Sequence, residues 1–111
     1  MRQATIHLDG QRTGLLIQDE QGFTFIYDAG YVAQPGAEPV SLTLPLRIAP
    51  YVERVLFPFF DGLIPEGWLL DIAEHNWKLN PRDRMGLLLA CCQDCIGAVS
   101  VHALTSSADY A

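Results

Sequence analysis

One change of hydrophobic period divides this chain and limits what it can fold into. Up to Tyr27 the apolar residues alternate: Ile6 and Leu8 flank His7, and Phe23, Phe25 and Tyr27 interleave with Thr24 and Ile26. A period of two is the mark of a strand with one buried face. Asp9-Gly10 supplies a two-residue turn that returns residues 13–18 alongside the first strand. Asp19-Glu20-Gln21-Gly22 supplies a second polar turn. Later the spacing becomes helical. Leu69, Ile72 and Ala73 share one face while Asp71, Glu74 and Lys78 point elsewhere, and Met85, Leu88 and Leu89 form a further stripe. Strands first and helices after predict an α+β fold: a small antiparallel meander with a few helices packed on it.

The intervening segments refine this reading. Residues 28–39 carry glycine and proline breakers and read as a loop with one helical turn around Tyr31. Residues 40–46 alternate again, which predicts a strand with Leu42 and Leu44 on one face and Ser41 and Thr43 on the other. Pro45 and Pro50 bracket its end and deny it a central sheet position. Residues 57–64 form a short aromatic turn or helix. Pro65-Glu66 then reads as a helix start, since proline at the first position lacks only an orphan N–H and glutamate suits the dipole. Asn80-Pro81 repeats that signal, with Asn80 as N-cap of a helix ending near Gln93. Residues 96–101 read as a closing strand that joins the sheet. The whole is one domain over residues 1–104, with a polar tail at 105–111.

Composition narrows the function. The formal charge is −6 and the seven basic residues are scattered from Arg2 to Arg84. Nucleic-acid binding by an isolated domain needs a basic face, so direct DNA or RNA binding is not expected. No uninterrupted apolar run is long enough to cross a bilayer, and the N-terminal residues lack the apolar core of a secretory signal. Three cysteines crowded at 91, 92 and 95 do not suggest a secreted disulfide framework, which leaves a reducing cytoplasm as the expected location. Half of the residues are hydrophobic and only 18% are charged. A core this small does not readily hide so much apolar side chain, so some apolar surface is expected to meet a partner.

Candidate chemistry is sparse. Phosphoryl transfer needs metal-holding acids, a base and a phosphate-cradling loop or lysine. Arg82-Asp83-Arg84 echoes a fragment of a kinase catalytic loop, but no suitably spaced asparagine follows, so it reads as capping charge. Cys92 and Cys95 form a C-x-x-C without the βαβ context of a redox motif. His75 and His102, the histidines available to complete a zinc set, have no recognised spacing. Core packing is the plainer reading of those thiols. Glu66, Asp71 and Glu74 read as a solvated helix face, and His7 as solvent-facing. We therefore expect no catalytic residues, no metal and no cofactor.

The segment 57–68 stands out because it combines four large aromatics with two prolines and two glycines. Phe57, Phe59 and Phe60 can fill the seam between sheet and helices. The density of breakers also suits a rigid, projecting turn. Trp68 lies off the Leu69, Ile72 and Ala73 face, where it either packs at the core's edge or points outward. Tryptophan is enriched among binding hot spots. The candidate partner-binding residues are accordingly Phe59, Phe60, Asp61, Leu63, Ile64, Pro65, Glu66, Gly67 and Trp68.

Four segments in order resemble one family. They are Leu8-Asp9-Gly10-Gln11-Arg12-Thr13-Gly14-Leu15-Leu16, Ser41-Leu42-Thr43-Leu44-Pro45-Leu46, the run from Phe57 to Trp68, and Asp94-Cys95-Ile96-Gly97-Ala98-Val99. Together they are similar to the N-terminal subdomain of HipA-like serine/threonine kinases, from about Ile6 to Leu104. Cys91-Cys92-Gln93 departs from the small, glycine-containing stretch usual there, which puts the local turn in doubt. In HipA the subdomain precedes a kinase body, whereas this sequence stops after it. That arrangement resembles HipS-like antitoxins of split HipBST systems. The resemblance implies a HipA-like (HipT) kinase as partner, with a HipB-like helix-turn-helix protein in the same complex. Combined with the missing catalytic body and an outward-pointing Trp68, it gives the working expectation that the Pro65-Glu66-Gly67-Trp68 turn docks at the kinase active site. The rival reading is a detached structural subdomain that stabilises the kinase or bridges it to the DNA-binding protein.

Overall fold

The fold is that of a computed structural model, which describes residues 1–64, 82–91 and 98–104. Strand β1 (Arg2–Leu8) turns into β2 (Gln11–Asp19), which turns into β3 (Gly22–Tyr27). A single helical turn, α1 (Ala29–Val32), follows, as the breakers around Tyr31 predict. The chain then runs through irregular structure to a short strand, β4 (Tyr51–Glu53), and to a second helical turn, α2 (Pro58–Asp61). Helix α3 (Arg84–Cys91) and strand β5 (Val99–Ala103) complete the described elements. The strands form one antiparallel sheet in the order β4-β3-β2-β1-β5. The predicted α+β meander with its closing strand is therefore what forms.

Turn chemistry sets the registers. Asp9 and Gly10 both take positive φ, at 52° and 82°, between the paired residues Leu8 and Gln11. That is the backbone of the two-residue hairpin whose twist matches the flanking strands. At the next turn, Asp19 Oδ1 accepts the N–H groups of Gln21 (2.9 Å) and Gly22 (3.1 Å). A register shift after Ile6 leaves Thr13 as an extra residue on β2, and its hydroxyl donates to the Ile6 carbonyl at 3.0 Å. This satisfies a buried hydroxyl that the core would otherwise strand without water.

The pleat then sorts the side chains. Ala4 lies opposite Leu16 and Leu16 opposite Phe25, while Ile6 lies opposite Val101, so these residues share one face. Tyr31, Phe57, Phe60, Met85, Leu87 and Leu88 belong to the same buried cluster, which places the helices on that face. Aromatic edges knit the seam: Phe25 meets Tyr27 at 4.8 Å and Phe60 at 5.4 Å between ring centroids. The opposite face carries Thr5, His7, Leu15, Ile17, Thr24, Ile26, Ser100 and His102, of which none belongs to the core cluster.

Two local expectations are corrected. Residues 40–46 are not a strand. Ser41 and Leu44 close a tight turn through a single bridge, with Leu44 N–H donating to the Ser41 carbonyl at 3.0 Å. Leu42 is consequently 93% exposed at the tip while Leu44 is only 4% exposed, so the two do not share a face. The reason is tertiary. The Tyr27 hydroxyl donates to the Leu44 carbonyl and accepts the Val40 N–H (3.0 Å), taking two groups that a strand would give to a neighbour. The sheet instead gains its edge strand at residues 51–53, immediately after Pro50. Secondly, residues 82 and 83 are not helical as the Asn80-Pro81 signal predicts: the described helix α3 starts at Arg84, and Asp83 accepts the N–H of Gly86 at 3.2 Å. Asn80, the helix expected after Pro65, the start of the 96–101 segment and the tail at 105–111 lie outside the described residues.

Candidate partner-binding site

The aromatic run builds a compact pedestal. Phe57 is extended (φ −53°, ψ 134°) and Pro58 opens α2, where its missing N–H costs nothing. Asp61 N–H donates to the Phe57 carbonyl and Gly62 N–H to the Pro58 carbonyl, both at 2.9 Å. Leu63 N–H continues to Phe60 (3.0 Å) and Ile64 N–H to Asp61 (3.2 Å), so the chain stays tightly wound up to Ile64. Phe60 is fully buried, with Phe59 against it at 5.2 Å and Phe57 at 6.1 Å between centroids.

This geometry sorts the expected contact residues. Phe60 and Ile64 are buried in the core and shape the site from behind. Phe57 is buried with them, which supports the seam-filling reading for that part of the run. Phe59, Asp61 and Leu63 are each partly exposed and can meet another molecule. Pro65, Glu66, Gly67 and Trp68 lie outside the described residues. Beside Phe59 a depression of 160 Å³ is lined by Thr43, Leu44, Tyr51, Glu53, Phe57 and Pro58. Its lining is largely apolar and aromatic and includes one carboxylate, Glu53.

Two ion pairs moor the pedestal. Arg84 Nε holds Asp61 Oδ1 at 2.5 Å, joining α3 to α2. The preceding residue, Asp83, receives both terminal nitrogens of Arg2, at 2.5 and 3.0 Å, joining α3 to β1. That side-chain hydrogen bonding from Arg2 holds the Asp83 carboxyl below the ordinary carboxylate range, against the smaller opposing effect of burial. A Cβ at position 86 would stand 2.4 Å from Asp83 Oδ2 and 3.1 Å from Arg2 Nη1, so glycine there leaves room for the pair. Sequence reasoning recognised capping charge in Arg82-Asp83-Arg84. It missed the partners, because nothing local announces that residue 83 meets residue 2.

Among the described residues no group of three or more His, Cys, Asp or Glu side chains stands close enough to hold a metal ion. His7, expected to face solvent, is half-buried and stacks edge-to-face on His102 at 4.5 Å. Cys92 and Cys95 lie outside the described residues. Among those described, no helix is long and apolar enough to cross a membrane.

A five-stranded antiparallel sheet with helices on one face and an aromatic pedestal beside a shallow depression defines an α+β architecture. Comparison with known proteins gives the family. Residues 4–102 match the model of the HipA N-terminal domain, and the chain belongs to that family. A solved structure, the N-terminal domain of HipA toxin, is similar with a TM-score of 0.76 and 30% identity, covering 95% of this chain and 94% of that one. An uncharacterized protein of Haemophilus influenzae is 33% identical over 102 residues, 92% of each chain. A putative kinase of Sinorhizobium fredii is 28% identical over 91% of this chain, which spans only 24% of that relative. The matched region is the N-terminal domain of such proteins and not their kinase catalytic domain.

Proposed function

We propose that this protein is a non-catalytic, cytoplasmic antitoxin that binds and neutralises a HipA-like (HipT) serine/threonine kinase. The observation that carries the reading is the match of residues 4–102 to the HipA N-terminal domain. A module of this kind meets its kinase through a surface, and the pedestal is the best-formed candidate. Buried Phe60 and Ile64 fix the chain up to residue 64, while Phe59 and Leu63 offer partly exposed apolar contact beside them. In this mechanism Trp68 enters the nucleotide cleft of the kinase and its indole occupies the adenine slot. Glu66 meets the basic groups that would otherwise bind phosphate. A HipB-like helix-turn-helix protein completes the complex and carries the DNA contacts, for which a chain of charge −6 is poorly suited.

The test is autophosphorylation of the cognate HipA-like kinase with and without one equivalent of this protein. Neutralisation predicts loss of activity that rising ATP relieves, and recovery of activity with Trp68→Ala. Inhibition unchanged by Trp68→Ala would refute the blockade. A second reading draws on the Sinorhizobium relative, where the matching region is a quarter of a longer putative kinase. There the module completes or steadies the kinase fold, or bridges it to the DNA-binding protein. Under that reading activity is maintained or raised in the complex, or operator affinity changes with no effect on phosphorylation.

A further inference from the structure

On the sheet face opposite the helices, β1 and β5 bring four polar side chains together. Thr5 lies opposite His102 in register and His7 opposite Ser100. Thr5 Oγ1 stands 3.1 Å from His7 Nε2, and Ser100 Oγ stands 2.9 Å from His102 Nε2. The two imidazoles meet edge to face across the strands, with centroids 4.5 Å apart and planes at 66°. We infer that this quartet is a two-imidazole site for a borderline divalent metal ion, with zinc as the natural probe.

Three features support the assignment. Imidazole is a ligand of choice for zinc, nickel and copper. Metal-binding histidines almost always donate their other ring N–H to an oxygen, which fixes the tautomer and raises ligand basicity. Here each Nε2 has a hydroxyl oxygen at hydrogen-bond distance. In the tautomer in which Nε2 donates, both Nδ1 lone pairs are left for an ion. The spacing also fits. Two rings bound to one ion at Zn–N of ~2.0–2.1 Å, with an N–Zn–N angle of about 90–110°, place their centroids roughly 4.5–5.3 Å apart, and the observed 4.5 Å lies at the compact end of that range.

The electrostatic setting is compatible. The nearest cation in register, Arg12 opposite His7, is engaged with Asp28 at 3.0 Å. The chain as a whole is acidic. Among the described residues no third His, Cys, Asp or Glu joins the pair, so water completes the shell. Binding is then weaker than at a closed structural zinc site.

The experiment is a zinc titration of the full chain, followed through the imidazole resonances of His7 and His102 by NMR. These report on this site whatever the cysteines bind. Both histidines are expected to shift with one shared midpoint, and the response to reverse when the zinc is removed with a chelator. His102→Gln should abolish the response at His7. Ser100→Ala should weaken binding about tenfold while leaving both ligands in place. Resonances unmoved by millimolar zinc, or a response at His7 that survives His102→Gln, would overturn the site.

Discussion

Arg2 holds Asp83 through two parallel charge-assisted hydrogen bonds that span 81 positions of the chain. The same carboxylate accepts the Gly86 N–H, so one side chain both caps α3 and fastens it to the first strand. Asp83→Ala should cost about 0.5–2 kcal/mol, the usual range for a lost cap, read as a lower urea midpoint at neutral pH. The pH dependence follows from the direction of the shift. Because Arg2 lowers the folded carboxyl below 3.8, the contribution is complete above the ordinary carboxylate range and is lost as pH falls through the folded value. The stability gap between wild type and Asp83→Ala should therefore narrow steadily below about pH 4.

Tyr27 anchors the 40–44 turn by donating to Leu44 and accepting from Val40. Tyr27→Phe keeps the ring but leaves a buried carbonyl and a buried N–H without that partner. We expect a loss of about 1–3 kcal/mol by chemical denaturation. Burial raises the folded Tyr27 pKa above 10.0. Its contribution is thus complete below pH 10 and lost as pH rises through the folded value, so alkaline unfolding should be less steep in Tyr27→Phe.

Phe59 and Phe60 are neighbours that differ in burial. Phe60→Ala empties a fully buried site and should destabilise the protein by about 3–5 kcal/mol. Phe59→Ala removes a partly exposed ring and should lower stability much less. It should instead weaken capture of the HipA-like kinase by ~1 kcal/mol or more, measured by calorimetry. Equal effects on folding and no effect on capture would remove Phe59 from the binding surface.

Gly22 closes the second hairpin with φ at 141°, and a Cβ there would lie 2.3 Å from the Glu53 carbonyl oxygen. Gly22→Ala should cost about 1–3 kcal/mol and loosen β4 first. Amide hydrogen exchange at residues 51–53 should rise before exchange in β1 and β2 changes.

Legibility in the sequence followed the range of the interactions. The three-strand meander could be read from alternation and from Asp9-Gly10, because a hairpin is set by neighbours. The aromatic run was legible as a feature, and burial of Phe57 and Phe60 supports its seam-filling reading. Its division into a buried Phe60 and a partly exposed Phe59 was not, since three clustered phenylalanines carry no phase. The 40–46 segment misled because Leu42 and Leu44 alternate like a strand, while a hydroxyl thirteen residues before Val40 bends them into a turn.

The sequence by itself determined the class of fold and the family. Period, turn residues and ordered motifs are local and survive without knowledge of contacts. Only the tertiary structure decided which side chains meet: Arg2 with Asp83, Tyr27 with Leu44, and His7 with His102. These pairings depend on strand register and on a helix returning across the sheet. They place residues side by side that the chain keeps far apart, and no local pattern encodes that approach.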